Sequence, residues 1–329
     1  MAILVTGAAG FIGAATARAL LERGDEVIGI DNLNDYYDPA LKRDRVAALS
    51  DRFGDRLQFH ELDFADAVAL ANVSGFDRIV HLGAQAGVRY SLQNPQAYVQ
   101  SNLVGHANML ELGRARKSSH FIYASSSSVY GGNESLPFRV EDRVDHPLSM
   151  YAATKKADEL LSESYASLYR LPSTGLRFFT VYGPWGRPDM AMWIFTKAIF
   201  AGEPLPLYNG GEMRRDFTYI DDIVRGVISC LDSPPADDGA AKAGGSTAPH
   251  ALYNIGNSRS EDLMRVVALL EDATGQKALL DPQPMQAGDV KDTFADISAI
   301  QRDHGFEPTT SIDEGVPRFV SWYRGYHGV

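Results

Sequence analysis

Cysteine is almost absent: Cys230 is the single one in 329 residues, so no disulfide can form within the chain. It sits in the apolar run 223–231, where a thiol serves as a small buried hydrophobe. Long apolar runs are missing too. None approaches the roughly 18 residues that a membrane-spanning helix needs, and no signal-peptide pattern precedes the first strand, so a cytoplasmic protein is expected. Positive charge is scarce: 31 Lys and Arg against 42 Asp and Glu leave a net charge of -11. That balance argues against a nucleic-acid surface and against an anionic membrane, and it requires any anionic ligand to be held by locally placed cations. No internal repeat is present. What remains, 45% apolar and 22% charged residues, is ordinary globular composition. The length suffices for a full α/β core and a smaller lobe.

The chain opens with Ile3-Leu4-Val5, then Thr6-Gly7-Ala8-Ala9-Gly10-Phe11-Ile12-Gly13, then an apolar-periodic stretch through Leu21. This reads as strand, tight turn and helix. Gly7 permits the turn, Gly10 lets backbone approach a pyrophosphate, and Gly13 lets the helix pack against the sheet. The helix N-terminus then offers N–H groups and a positive dipole to phosphates. A second strand, 26–30, ends in Asp31, whose carboxylate suits the ribose hydroxyls and repels a 2′-phosphate. NAD is therefore expected rather than NADP. Lys42, Arg43 and Arg45 follow, and are read as a solvated helix face. Asp63 and Phe64, after the strand 57–62, are placed for the adenine edge.

Further on stand a serine run, Ser125 to Ser128, and the segment Tyr151-Ala152-Ala153-Thr154-Lys155. Residues at i and i+4 share a helix face, so Tyr151 and Lys155 can point into one pocket. A phenol has an ordinary pKa of about 10, and a nearby ammonium lowers it toward working pH. The pair thus supplies a base, and a serine hydroxyl can orient what the base acts on. Strands at 78–82, 121–124 and 173–179 alternate with helices at 95–115 and 150–169. The predicted fold class is α/β, a doubly wound parallel (Rossmann-type) sheet with a smaller mixed α/β substrate-binding lobe. Its expected division is 1–180 for the dinucleotide, with a return near 216–232, and 181–329 for the lobe. The stretch 232–250, rich in Pro, Ala, Gly and Asp, reads as a mobile surface loop.

Several segments together resemble the extended short-chain dehydrogenase/reductase family, and within it the nucleotide-sugar epimerases. They are the G-x-x-G-x-x-G loop, Asp31-Asn32-Leu33-Asn34-Asp35-Tyr36-Tyr37-Asp38-Pro39, Ala84-Gln85-Ala86-Gly87-Val88-Arg89-Tyr90-Ser91, Ser125 to Gly131, Tyr151 to Ala157, and Leu176 to Ala191. The resemblance implies C4 epimerisation of UDP-glucuronate to UDP-galacturonate through a transient 4-keto sugar. It makes Tyr151, Lys155, Ser126 and Ser127 the catalytic candidates. Cofactor contacts are implied for Gly7, Gly10, Phe11, Ile12, Gly13, Asp31, Asn32, Asn34, Asp63, Phe64, Leu82, Gly83, Ala84, Gln85, Asn102 and Phe178, with Tyr151 and Lys155. Substrate contacts are implied for Arg89, Ser127, Ser128, Thr180, Arg187, Arg215 and Asp289. Thr180 stands where galactose-type epimerases usually carry Asn, which favours an acidic sugar. Gln286 stands where some relatives place an arginine. A homodimer is implied through a four-helix interface built from 95–115 and 150–169. No metal is expected.

Rival readings turn on the serine run. A 4,6-dehydratase needs an Asp–Glu pair where this chain has Ser127 and Ser128. A UDP-glucuronate decarboxylase generally carries Glu at Ser128. A non-catalytic dinucleotide sensor commonly loses the Tyr–Lys pair, and both members are here.

Overall fold

A computed structural model of the chain describes residues 1–285 and 290–329. Gln286 and Asp289 lie outside the described residues. The first half runs β1 (Ala2–Thr6), α1 (Phe11–Arg23), β2 (Val27–Asp31), α2 (Pro39–Phe53), β3 (Leu57–Glu61), α3 (Ala67–Leu70) and β4 (Phe76–His81). It continues with α4 (Val88–Gln93), α5 (Pro95–Tyr98), a π-helical turn (Val99–Val104), α6 (Gly105–Arg116), β5 (His120–Ser126), α7 (Met150–Tyr169) and β6 (Ser173–Phe178). The second half adds β7 (Thr180–Tyr182), α8 (Ala191–Ala201), β8 (Pro204–Tyr208), β9 (Arg214–Tyr219), α9 (Ile220–Leu231) and β10 (His250–Ile255). Then come β11 (Ser260–Asp262), α10 (Leu263–Thr274), β12 (Leu279–Gln283), α11 (Ser298–His304) and α12 (Ile312–His327).

Among the described residues, seven strands pair in parallel in the order β10-β6-β5-β4-β1-β2-β3. Every residue of β1 and of β6 is buried, because helices cover both faces of a parallel sheet. The chain winds outward from β1 to β3, then crosses to β4 on the other side of β1. That reversal opens a crevice at the carboxyl ends of the strands. Thr6 lies opposite His81, and Ser126 opposite Phe178. Gly7, Leu82, Ser127 and Phe179 therefore leave the sheet along one edge.

One element differs from expectation for a physical reason, and the loop expected at 232–250 is tied to its neighbours. The helix expected over 95–115 is interrupted by the π-turn, on which Asn102 is buried. Its side chain accepts from the Gln85 N–H at 2.8 Å and donates to the Gln85 carbonyl at 3.1 Å and to Thr154 Oγ1 at 3.0 Å. The extra residue in the turn aims that amide at the loop after β4. The stretch after α9 is irregular but anchored. Arg170 Nε donates to Asp237 at 2.8 Å, Ser246 Oγ donates to Glu163 at 2.8 Å, and Ala243 and Ala248 are buried.

By contrast α7 covers 150–169 as expected. Ser149 caps it by accepting from the Ala152 N–H at 3.1 Å. Beyond β6 the chain builds a small sheet, β11-β9-β7, and a two-stranded pair, β12-β8. It returns to the main sheet twice, as α9 packed on α1 and as β10 paired with β6. One apolar cluster runs from Val5 and Ile122 through Phe178 and Phe217 to Ile223, Val266 and Phe319, so the two halves share a core. No helix of the described residues is long and apolar enough to cross a membrane.

Candidate active site

A cavity of about 380 Å³ occupies the crevice. At one end lies the glycine loop. Gly7 has φ +66°, and a Cβ on Gly13 would fall 2.0 Å from the Gly7 carbonyl oxygen, so the first turn of α1 can close on the loop only with glycine there. Gly10 is the N-cap of α1, and no side chain bonds the first turn from that position. The N–H groups of that turn are left to a ligand. Phe11, Ile12, Gly13, Leu82, Gly83, Ala84, Gln85 and Phe178 line the same end.

Asp31, at the tip of β2, accepts from the Leu33 N–H at 2.9 Å and the Ala9 N–H at 3.2 Å. Burial raises its pKa, and Lys42 and Arg45 pull against that rise. These two cations are not a solvated face: both are buried, and Arg43 alone of the three is exposed. Lys42 Nζ donates to the Asn34 carbonyl and side chain, each at 2.8 Å. Arg45 donates to the carbonyls of Ala9, Trp185 and Gly186 and to the Tyr37 hydroxyl. Loop carbonyls withdrawn from water need donors, and a guanidinium satisfies several at once.

Asn32 and Asn34 line the cavity, as does buried Phe64. Asp63 and Asn102 do not. Asp63 accepts from Asn32 Nδ2 at 3.1 Å, beside the wall, and Asn102 stands behind it as the clamp on Gln85.

At the centre, Ser126, Ser127, Ser128, Tyr151 and Lys155 all line the cavity. Ser126 Oγ accepts from the Ser128 N–H at 3.2 Å and caps the short turn Ser127–Tyr130. Ser128 Oγ is buried with no hydrogen-bond partner among the described residues. Tyr151 sits in the first turn of α7, with the Tyr98 ring edge-on at 6.0 Å. One turn on, Lys155 Nζ donates to Asp158 Oδ2 at 2.8 Å. Behind this face Glu159 pairs with Arg177 at 2.8 Å and accepts from Ser125 Oγ at 2.7 Å, tying α7 to β5 and β6.

The far end carries Thr180, Arg187 and Arg215. Arg187 grips Asp189 with Nε at 3.0 Å and Nη2 at 2.5 Å, and the Tyr36 hydroxyl donates to the same carboxylate at 3.0 Å. Burial works against the charged Asp189, but Arg187 holds its pKa below the usual carboxylate range. Arg215 Nη1 donates to the Arg214 and Lys291 carbonyls. Arg89 is not in the wall. Its neighbour Val88 is, and one residue turns a helix by about 100°; the Arg89 guanidinium instead lies 4.5 Å from the Tyr208 ring centre.

Sequence reading missed Asp158, Asp189 and the buried role of Lys42 and Arg45. Asp158 had a local signal, an acid three residues after Lys155 on the same face. Tyr36 stands in a quoted motif to which no role was given, and its contact with Asp189 spans 153 residues.

The arrangement fits a dinucleotide. An uncapped helix N-terminus suits its diphosphate, Asp31 its ribose hydroxyls, and Lys155 beside Tyr151 its reacting end. A family model described as the NAD dependent epimerase/dehydratase family matches residues 3–256. A probable UDP-glucuronate 4-epimerase of Rhizobium meliloti (strain 1021) is 46% identical, with 98% of this chain and 97% of that protein aligned. UDP-glucuronate 4-epimerase 1 of Arabidopsis thaliana is also 46% identical, over 100% of this chain and 78% of its own length. The crystal structure of the UDP-glucuronic acid 4-epimerase from Bacillus cereus, in complex with UDP-glucuronic acid and NAD, superposes with a TM-score of 0.88. It is 33% identical and covers 99% of this chain and 100% of its own. The glycine loop, the strand-end carboxylate and the Tyr–Lys pair thus occur in a chain that belongs to the NAD dependent epimerase/dehydratase family.

Proposed function

We propose that the chain interconverts UDP-glucuronate and UDP-galacturonate by epimerisation at C4, as an NAD-dependent isomerase. The observation that carries this is the convergence of Tyr151, Lys155 and Ser126 with the glycine loop on one cavity. Similarity to UDP-glucuronate 4-epimerases over nearly the whole chain supports the choice of sugar. Gly7, Gly10, Phe11, Ile12, Gly13, Asp31 and Lys155 would hold NAD, which when bound supplies a reversible acceptor for the C4 hydride.

Tyr151 takes the proton from the sugar 4-hydroxyl and later returns it. Lys155 would place its positive charge near the Tyr151 phenol and would hold the nicotinamide ribose. The Ser126 hydroxyl orients the 4-oxygen. Arg215 and Arg187 offer the diphosphate and sugar their positive charge and the guanidinium N–H groups not used on Asp189 or on loop carbonyls. A 4-ketone beside the C5 carboxylate tends to lose carbon dioxide, so the carboxylate must be held out of alignment. Thr180, Ser127 and Ser128 serve that restraint, and the Ser128 hydroxyl, without a hydrogen-bond partner among the described residues, supports it.

We assign the dinucleotide to 1–180 with the return at 216–232, and the nucleotide sugar to the lobe 181–329. Exposed Leu160, Leu168 and Tyr169 on α7, with Val104 on the π-turn, support a homodimer through these helices. The test is proton NMR of the purified protein with UDP-glucuronate and no added cofactor. UDP-galacturonate approaching a fixed ratio is expected. A UDP-pentose with carbon dioxide would mean a decarboxylase, and an unchanged spectrum even with NAD would exclude this sugar.

A further inference from the structure

Tyr151, Lys155 and Asp158 stand at i, i+4 and i+7 of α7, one stripe along the helix. The Lys155 ammonium and Asp158 Oδ2 are 2.8 Å apart, and the two side chains are only 3% and 1% exposed. The other oxygen, Asp158 Oδ1, is buried without a hydrogen-bond partner among the described residues. Leaving a buried acceptor unfilled costs free energy, so packing alone does not account for a carboxylate here. What holds it is the lysine charge.

The groups around the pair leave Lys155 as its counter-ion. His106 from α6 and His81 from β4 are buried, and burial lowers both pKa values far below neutrality, so these rings carry no charge. Tyr123 from β5 is kept protonated by burial. Glu159, the next residue, is engaged by Arg177 of β6 and by Lys156. Burial pushes the Asp158 carboxyl upward and Lys155 opposes that rise, so the ionised carboxylate depends on the lysine beside it.

We propose that Asp158 is a positioning residue that partly neutralises Lys155 and so sets the pH at which Tyr151 becomes a phenolate. This rests on the roles given above to Tyr151 and Lys155. An unshared ammonium one turn from a phenol lowers its pKa; an ammonium shared with a carboxylate lowers it less. Asp158 stands seven residues from Tyr151, about 10 Å along the helix axis, so its charge is felt at Tyr151 chiefly through Lys155. The same pairing lets the protein bury Lys155 without leaving a lone charge.

Asp158→Asn keeps the shape and an acceptor for the ammonium while removing the charge. The measurement is the Tyr151 phenolate titration in NAD-loaded enzyme by ultraviolet difference absorbance, with Tyr151→Phe as blank, beside the pH profile of kcat. The phenolate midpoint and the acid limb of kcat should both move to lower pH. A variant that is slower or less stable but has the parent's midpoints overturns the proposal. If Asn yields no folded enzyme, Asp158→Ser removes the same charge in a smaller volume and is read the same way. Full activity in Tyr151→Phe and Lys155→Met would instead remove the underlying reading of the reaction, so the two failures are distinguishable.

Discussion

The two ends of the cavity are built by opposite strategies. The end at the glycine loop is largely backbone, a glycine turn, an uncapped helix start and strand tips from short contiguous stretches of the first half, with Asp31 as its buried carboxylate. The sugar end is made of side chains that meet only in the folded molecule, such as Tyr36 with Asp189 and Arg187. A backbone cradle tolerates little added volume but needs few particular side chains. A side-chain cradle can be retuned by single substitutions. The Tyr151–Lys155 stripe of α7 lies between them and answers to both.

Substitutions can break or sharpen this contrast. Tyr151→Phe removes the proposed base between the two ends and should lower kcat by about 10³-fold, with UDP-sugar affinity kept. Steady-state rates and binding calorimetry check it, and a variant within tenfold of the parent would assign the proton transfer elsewhere. Gly13→Ala tests the backbone end. Its Cβ has no room beside the Gly7 carbonyl, so the variant should lose co-purifying NAD and about 1–3 kcal/mol of stability. Absorbance of the released cofactor and thermal melting read these; retained NAD at the parent's melting temperature would show that the loop yields.

At the side-chain end, Arg187→Lys keeps the charge but loses the fork on Asp189, and KM for the UDP-sugar should rise about tenfold with kcat little changed. A fall in kcat at constant KM would move Arg187 out of substrate binding. The smallest effect is expected for Ser128→Ala, a several-fold rise in carbon dioxide released per turnover, on the order of 1 kcal/mol in partition. Unaltered partition would remove Ser128 from restraint of the carboxylate.

How much was legible follows the same division. The glycine loop, Asp31 and α7 with its Tyr–Lys pair could be read because their spacing is local: a turn, a strand end, one helical turn. Asn102 could be chosen but not placed, since the π-turn that aims it at Gln85 has no simple sequence pattern. Lys42 and Arg45 were read as solvent-facing because helical charges usually are. Only the packing of residues 185–186 over α2 shows that their carbonyls need Arg45. For Arg89 the resemblance implies a substrate contact, but the helix that starts at Val88 turns its side chain from the wall.

By itself, then, the sequence determined what periodicity and stereochemistry enforce: alternating strands and helices, a phosphate-sized gap at a helix start, a phenol and an ammonium on one face. Only the tertiary structure decided which distant charges meet. It joined Glu159 of α7 to Arg177 of β6, set Asp189 beside Tyr36, and returned β10 to the sheet beside β6. The reason is physical. Local geometry repeats with fixed periods that a chain displays directly, whereas pairing across many residues depends on desolvation and packing that exist only once the core has closed.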